Sequence, residues 1–175
     1  MTINDKFTRG WIAGALASLL GSIWSFLSYN MGITTLRLSD WSAILIYGRI
    51  PPFSLADQVY ATIILAGSTG IIGSIFALLL PLLTEENIYF KGWVIFLIPW
   101  WIIYLLTALA QTEGTLDLSV MTALSNGIGT SITGLGAVYS YRLLDPQSSK
   151  TRLRSFGLAQ PAAKRMESKD YGDKE

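Results

Sequence analysis

The chain contains no cysteine and no histidine. The first absence excludes disulfides, thiolate nucleophiles and a Cys-x-x-Cys redox pair. The second removes, with cysteine, the side chains that hold haem or transition metals in four-helix membrane proteins. No cofactor and no metal is therefore expected. Charge is also scarce: Asp, Glu, Lys and Arg make up 14% of the 175 residues against 51% hydrophobic, and the mean hydropathy is +0.43. That balance is too apolar for an ordinary soluble domain and reads as one small membrane domain.

The charges leave four long gaps. None stands between Arg9 and Arg37, Asp57 and Glu85, Lys91 and Glu113, or Asp117 and Arg142. Each gap exceeds the roughly 20 residues that carry a helix across hydrocarbon. No strand-length alternation suggests a barrel, so the backbone hydrogen bonds must close within helices. The expected fold is all-α: an integral membrane four-helix bundle with spans at about 10–34, 55–81, 92–112 and 118–142, in a domain covering 1–144. The first run is too long and too rich in small residues for a cleaved leader, whose apolar stretch is about 7–15 residues. It is read as a retained span.

Basic residues set the expected orientation. Lys6 and Arg9 precede the first span, Lys91 lies in the second loop, and Arg142, Lys150, Arg152 and Arg154 lie at the end of the fourth span and beyond it, whereas the other side holds only Arg37 and Arg49. Both termini are thus expected in the cytoplasm, in a multi-pass protein of the cytoplasmic membrane. The segment 145–175 lacks a sustained apolar period and is expected to be a disordered cytoplasmic tail. Its Lys150, Arg152 and Arg154 either attract anionic lipid heads, at about 1 kcal/mol each, or serve only as an orientation signal. Asp145, Glu167, Asp170, Asp173 and Glu175 dilute that basic patch and argue against nucleic acid.

On the outer side, Trp41, Ile44, Leu45 and Gly48 recur at helical spacing. They predict a short interfacial helix with Ser39 as N-cap, Gly48 as its stop, and Trp41 and Tyr47 as anchors among the headgroups. An irregular loop dipping its aromatics into lipid is the other reading. Ser54 and Asp57 form a capping-box pattern at the start of the second span. The remaining loop charges, Arg37, Asp40, Arg49, Asp57, Glu113 and Asp117, read as solvated surface rather than as an acid and base pair.

Small residues dominate three of the spans. Gly10, Gly14, Ser18 and Ser22 form one i, i+4 row, with Ala13, Ala17, Gly21 and Ser25 beside it; Gly70 and Gly73 belong to similar rows in the second span, Gly129 and Gly134 in the fourth. Such faces let helices approach closely where lipid supplies no hydrophobic drive. The third span, KGWVIFLIPWWIIYLL, is bulky and is expected to lie outside a compact trio of spans one, two and four. Within it Trp100 and Trp101 sit near the middle rather than at an interface, so at least one is a candidate to turn inward. Along the fourth span Ser119, Thr122, Asn126, Thr130 and Thr133 share one polar face, either a packing seam or the wall of a polar path. Gly127 to Gly129 and Gly134 to Gly136 are not phosphate loops, because they lie in an apolar helix without a following Lys-Ser/Thr.

The segments GSIWSFLSYNMGI, LAGSTGIIGSIFALL, KGWVIFLIPWW and GTLDLSVMTALSNGIGTSITGLGAVYSY, in that order and with these loop lengths, resemble the YqhR-like family of small four-span membrane proteins from endospore-forming Gram-positive bacteria. The resemblance covers about Gly10 to Arg142 and implies a cytoplasmic-membrane location. It brings no catalytic residues. The membrane interior offers no acid or base for proton coupling. The expected role is therefore non-enzymatic: association in the bilayer, as a scaffold or accessory subunit, with a membrane-protein partner or a second copy. The alternative is a channel or carrier for a small neutral or weakly polar solute lined by the fourth span. A membrane enzyme ranks third.

Overall fold

The structure, a computed structural model, describes residues 4–83, 86–115 and 118–145. These form five helices: α1 (Lys6–Asn30), α2 (Leu38–Tyr47), α3 (Leu55–Leu79), α4 (Ile88–Leu109) and α5 (Val120–Leu143). There is no strand among the described residues. The helix ends follow local chemistry. Asp5 caps α1 by accepting the Thr8 N–H at 2.6 Å, and hydrogen bonds from Thr8 hold its carboxyl below the usual carboxylate range. Ser54 and Asp57 form the capping box of α3, Ser119 accepts from the Thr122 N–H at the start of α5, and Gly48 ends α2 with φ of 60°. Ser39 is not the cap expected for α2. Arg37 occupies that position, its backbone N–H donating to Asp40 Oδ2 at 2.8 Å.

Three helices, α1, α3 and α4, are long and apolar enough to cross a membrane. α5 is as long, 24 residues, but spends its inner face on Ser, Thr, Asn and Gly. The molecule is apolar outside, and much of its buried set is small or polar. Leu20, Ile23 and Phe26 of α1, Ile63 and Ile71 of α3, Leu105 of α4, and Met121 and Leu124 of α5 are all exposed. The buried set instead includes Ala13, Ala17, Ser18, Ser25, Ala77, Thr122, Asn126 and Ala137.

The expected trio is held together through α1, without a closely packed α3–α5 seam. α1 packs along both α3 and α5, α5 also packs along α4, and α3 touches α4 only lightly. The small-residue rows explain the two tight seams. A Cβ on Gly14 would strike the Thr69 carbonyl oxygen of α3, and one on Gly21 would strike Thr133 and the Gly129 carbonyl of α5. Near the end that carries the described termini, Phe76, Ile88, Phe96, Ala137 and Val138 fill the middle with Ala17. Arg9, expected as a flanking charge, is buried there. It donates to the Tyr141 hydroxyl at 2.9 Å and pairs with Asp145 at 3.0 Å.

The chain leaving α1 does not stay at the surface. It turns at Gly32, where φ is 71°, and folds back between α1 and α5, with the Leu38 N–H donating to Ser25 Oγ at 2.8 Å. Ser25 precedes the end of α1 by about 7 Å at about 1.5 Å per residue, so α2 begins inside the bundle. It then runs beside α3, and Leu36, Ala43, Ile44, Phe53 and Ala61 bury one another beneath it. Trp41 is therefore not a headgroup anchor: it is 6% exposed and stacks on Tyr104 at 4.5 Å between centroids.

Candidate functional site

The polar face of α5 divides into two parts. Thr122 and Asn126 are fully buried and serve the folded-back segment. Thr122 Oγ1 accepts the Thr35 N–H at 3.0 Å and also meets Ser119 Oγ at 3.0 Å. The Asn126 amide donates to the Leu36 carbonyl at a long 3.4 Å, and its own carbonyl oxygen has no partner. Thr130 and Thr133 return their hydroxyls to their own helix, at the Asn126 and Gly129 carbonyls. Thr122 and Asn126 are thus taken up by the α1–α2 connection, whereas Thr133 lies against Gly21 of α1.

Thr130 and Thr133 also border a cavity of about 120 Å³ near the middle of the bundle. Trp41 and Leu45 of α2, Ser68 and Thr69 of α3, and Trp100, Ile103 and Tyr104 of α4 complete most of its wall. No charged residue lines it. The hydroxyls of Ser68 and Thr69 are tied to Ile64 and Leu65 carbonyls, so the wall is almost wholly apolar. Trp100 turns inward and packs over Gly127, where a Cβ would lie in ordinary contact with the indole, 3.4 Å away. Tyr104 then stands between Trp41 and Trp100, 4.5 and 4.8 Å from their rings.

Three donors in this cluster are unspent. Trp41 Nε1, Trp100 Nε1 and Tyr104 Oη are buried without a hydrogen-bond partner. The Tyr104 phenol comes near the Asn126 amide without reaching hydrogen-bond geometry. Buried polar groups in proteins are nearly always paired, so this concentration is the unusual feature of the molecule. Trp101, the other candidate inward aromatic, is 64% exposed and faces away.

Of the loop charges expected to be solvated, Arg37 and Asp40 form a largely buried pair, Arg49 and Asp57 pair with the Arg49 side chain still exposed, and Glu113 is exposed. Arg37 makes two bonds to Asp40 and one to Gln58, and Asp40 is 1% exposed. Arg49 pairs with Asp57 at 2.7 Å. Asp40 and Asp57 are each neutralised by their own arginine, so neither is a free acid or base. No group of three His, Cys, Asp or Glu side chains able to hold a metal occurs among the described residues. Gly10, Gly14, Ser18, Gly21, Gly70, Gly73, Gly129 and Gly134 all lie at helix contacts or in the buried set. Lys150, Arg152 and Arg154 lie outside the described residues, as do Asp117 and nearly all of the segment expected to be a disordered tail. Sequence reasoning missed Trp41 and Tyr104 as site residues. Their signal was an aromatic pair in two segments with no periodic relation to each other.

No family model, curated protein or solved structure matches the chain.

Proposed function

We propose that the chain is a four-span protein of the cytoplasmic membrane, with both termini in the cytoplasm, that works by non-covalent association as a ligand-holding accessory subunit and carries out no chemistry of its own. Val120, Met121, Leu124, Ile128 and Leu135 support the fourth span: they give α5 an exposed apolar face to set against lipid, which its inward polar composition masks in the sequence. The basic residues at the terminal side support the orientation. The resemblance to the YqhR-like family rests on the quoted segments and adds no activity.

The observation that carries the binding reading is the apolar cavity lined in part by Trp41, Trp100 and Tyr104, whose polar atoms are buried and unpartnered. It favours holding over conduction, because Phe76, Ile88, Phe96 and Val138 close the bundle on one side of it and α2 covers the other. It also favours a small ligand over a helical partner as the first occupant, because the small-residue faces of α1 are spent inside the chain against α3 and α5. Liposomes containing the purified protein should show no flux of small neutral solutes, and a reporter fused after Glu175 should mark the cytoplasm. Saturable flux would overturn the reading in favour of a carrier.

A further inference from the structure

We infer that the cavity beside Trp41, Trp100 and Tyr104 takes a neutral, single-ring molecule dissolved in the bilayer that carries a carbonyl oxygen, of the quinone type. This rests on the reading of that cavity as a binding site.

Size sets the first limit. About 120 Å³ is close to the roughly 150 Å³ of an apolar cavity that admits benzene, so there is room for one six-membered ring. Charge sets the second, since no ionised side chain lines the wall and a charged ligand would be costly to desolvate there. Hydrogen bonding sets the third. An indole N–H donates and cannot accept, so the unpartnered Trp41 and Trp100 nitrogens require an acceptor on the ligand. Neither donor atom has accessible surface, so binding requires the side chains to turn and bring their N–H groups to the ring oxygen. The flat faces of Trp41, Tyr104 and Trp100, already stacked or tilted on one another, suit a planar ring.

Position separates this class from the other carbonyl source in a bilayer. Phospholipid ester oxygens lie near the headgroups, whereas the cavity borders Thr69, Phe96, Thr130 and Thr133, near the middle of their helices. A carbonyl ring at that depth must belong to a molecule that resides in hydrocarbon. It enters past Leu45, Ser68 and Ile103, the exposed residues of the wall, where α3 and α4 touch only lightly and Trp41 of α2 reaches Tyr104 of α4.

The test uses the full-length protein in mild detergent and three probes: a short-chain benzoquinone with ¹³C-labelled carbonyls, an alkylbenzene of the same size, and a diacyl phospholipid. The benzoquinone should bind saturably and raise the melting temperature, and its infrared carbonyl stretch should move to lower wavenumber on binding. Tyr104→Phe keeps the stack and Trp100→Phe keeps an aromatic ring. Each should weaken binding about tenfold, the equivalent of one hydrogen bond, and reduce the infrared shift. Equal binding by the alkylbenzene, or an infrared shift unchanged in both variants, would overturn the role given to the donors while leaving a binding cavity. Preferential binding of the phospholipid would overturn the ligand class. Failure of all three probes to bind would remove the binding reading itself.

Discussion

Gly10 of α1 and Gly73 of α3 meet backbone to backbone: a Cβ added to either would overlap the carbonyl oxygen of the other. No side chain stands between them to give way, so relief requires the helices to part. Gly73→Ala should lower stability by about 1–3 kcal/mol, the range for overpacking a close contact. Gly67 on the same helix has nothing within 4 Å of its would-be Cβ, and Gly67→Ala should be neutral or stabilising by up to about 1 kcal/mol through helix propensity. Thermal unfolding of the two variants in one detergent compares them directly. Equal losses would show that the α1–α3 seam is not set by backbone approach.

Arg37 and Asp40 supply a second, electrostatic prediction. Asp40 is 1% exposed, and the pair is satisfied internally with Gln58 as the third partner. Removing one charge leaves the other buried and alone, a loss of about 3–5 kcal/mol. Asp40→Asn should therefore destabilise strongly, whereas the double variant Arg37→Met, Asp40→Asn should recover much of the loss. A double variant no better than the single would mean that the pair is held in water.

The cap of α1 gives a dependence on pH. Hydrogen bonds from Thr8, first through its side chain and then through its backbone, hold the Asp5 carboxyl below its ordinary value. A carboxyl lowered by folding stabilises the fold above its unfolded value and loses that contribution as pH falls through the folded one. The first turn of α1 should therefore loosen as pH falls below about 4, seen as faster hydrogen exchange at the Thr8 amide. Asp5→Asn keeps a capping oxygen without a titrating group and should remove this step from the profile.

The long helices were legible because charge gaps and lipid thickness are one-dimensional facts. Capping was legible at Ser54 and Gly48 for the same reason: both act within one turn of chain. Trp41 and Arg37 were not. A tryptophan and two charges in a loop between apolar runs have an ordinary reading at the membrane surface, and only contacts across distant segments overturn it, such as Leu38 with Ser25 and Thr35 with Thr122. The small residues were recognised as packing faces, but their partners depend on which helices become neighbours, and periodicity along one helix carries no such information. The cavity was invisible for a related reason. Trp100 and Tyr104 share a helix, yet the third member of the cluster, Trp41, arrives on a segment that first turns back into the bundle.

Thr122 and Asn126 test what holds that turned-back segment. Both are fully buried on α5, and by side-chain polarity alone Asn126 is the stronger candidate. The bonds reverse the ranking. Thr122 Oγ1 receives the Thr35 N–H at 3.0 Å, so Thr122→Val leaves a backbone donor with no partner, at about 1–3 kcal/mol. Asn126 makes one long bond of 3.4 Å while leaving its carbonyl oxygen unpaired. Asn126→Leu removes a weak bond and an unsatisfied acceptor together, and the two effects offset to within about 1 kcal/mol, the scale of interhelical hydrogen bonds in membranes. Thermal unfolding in detergent should thus place Thr122→Val well below Asn126→Leu, with Asn126→Leu close to the parent. The reverse order would mean that the Asn126 amide, and not the Thr122 hydroxyl, fixes the segment that delivers Trp41 to the cavity.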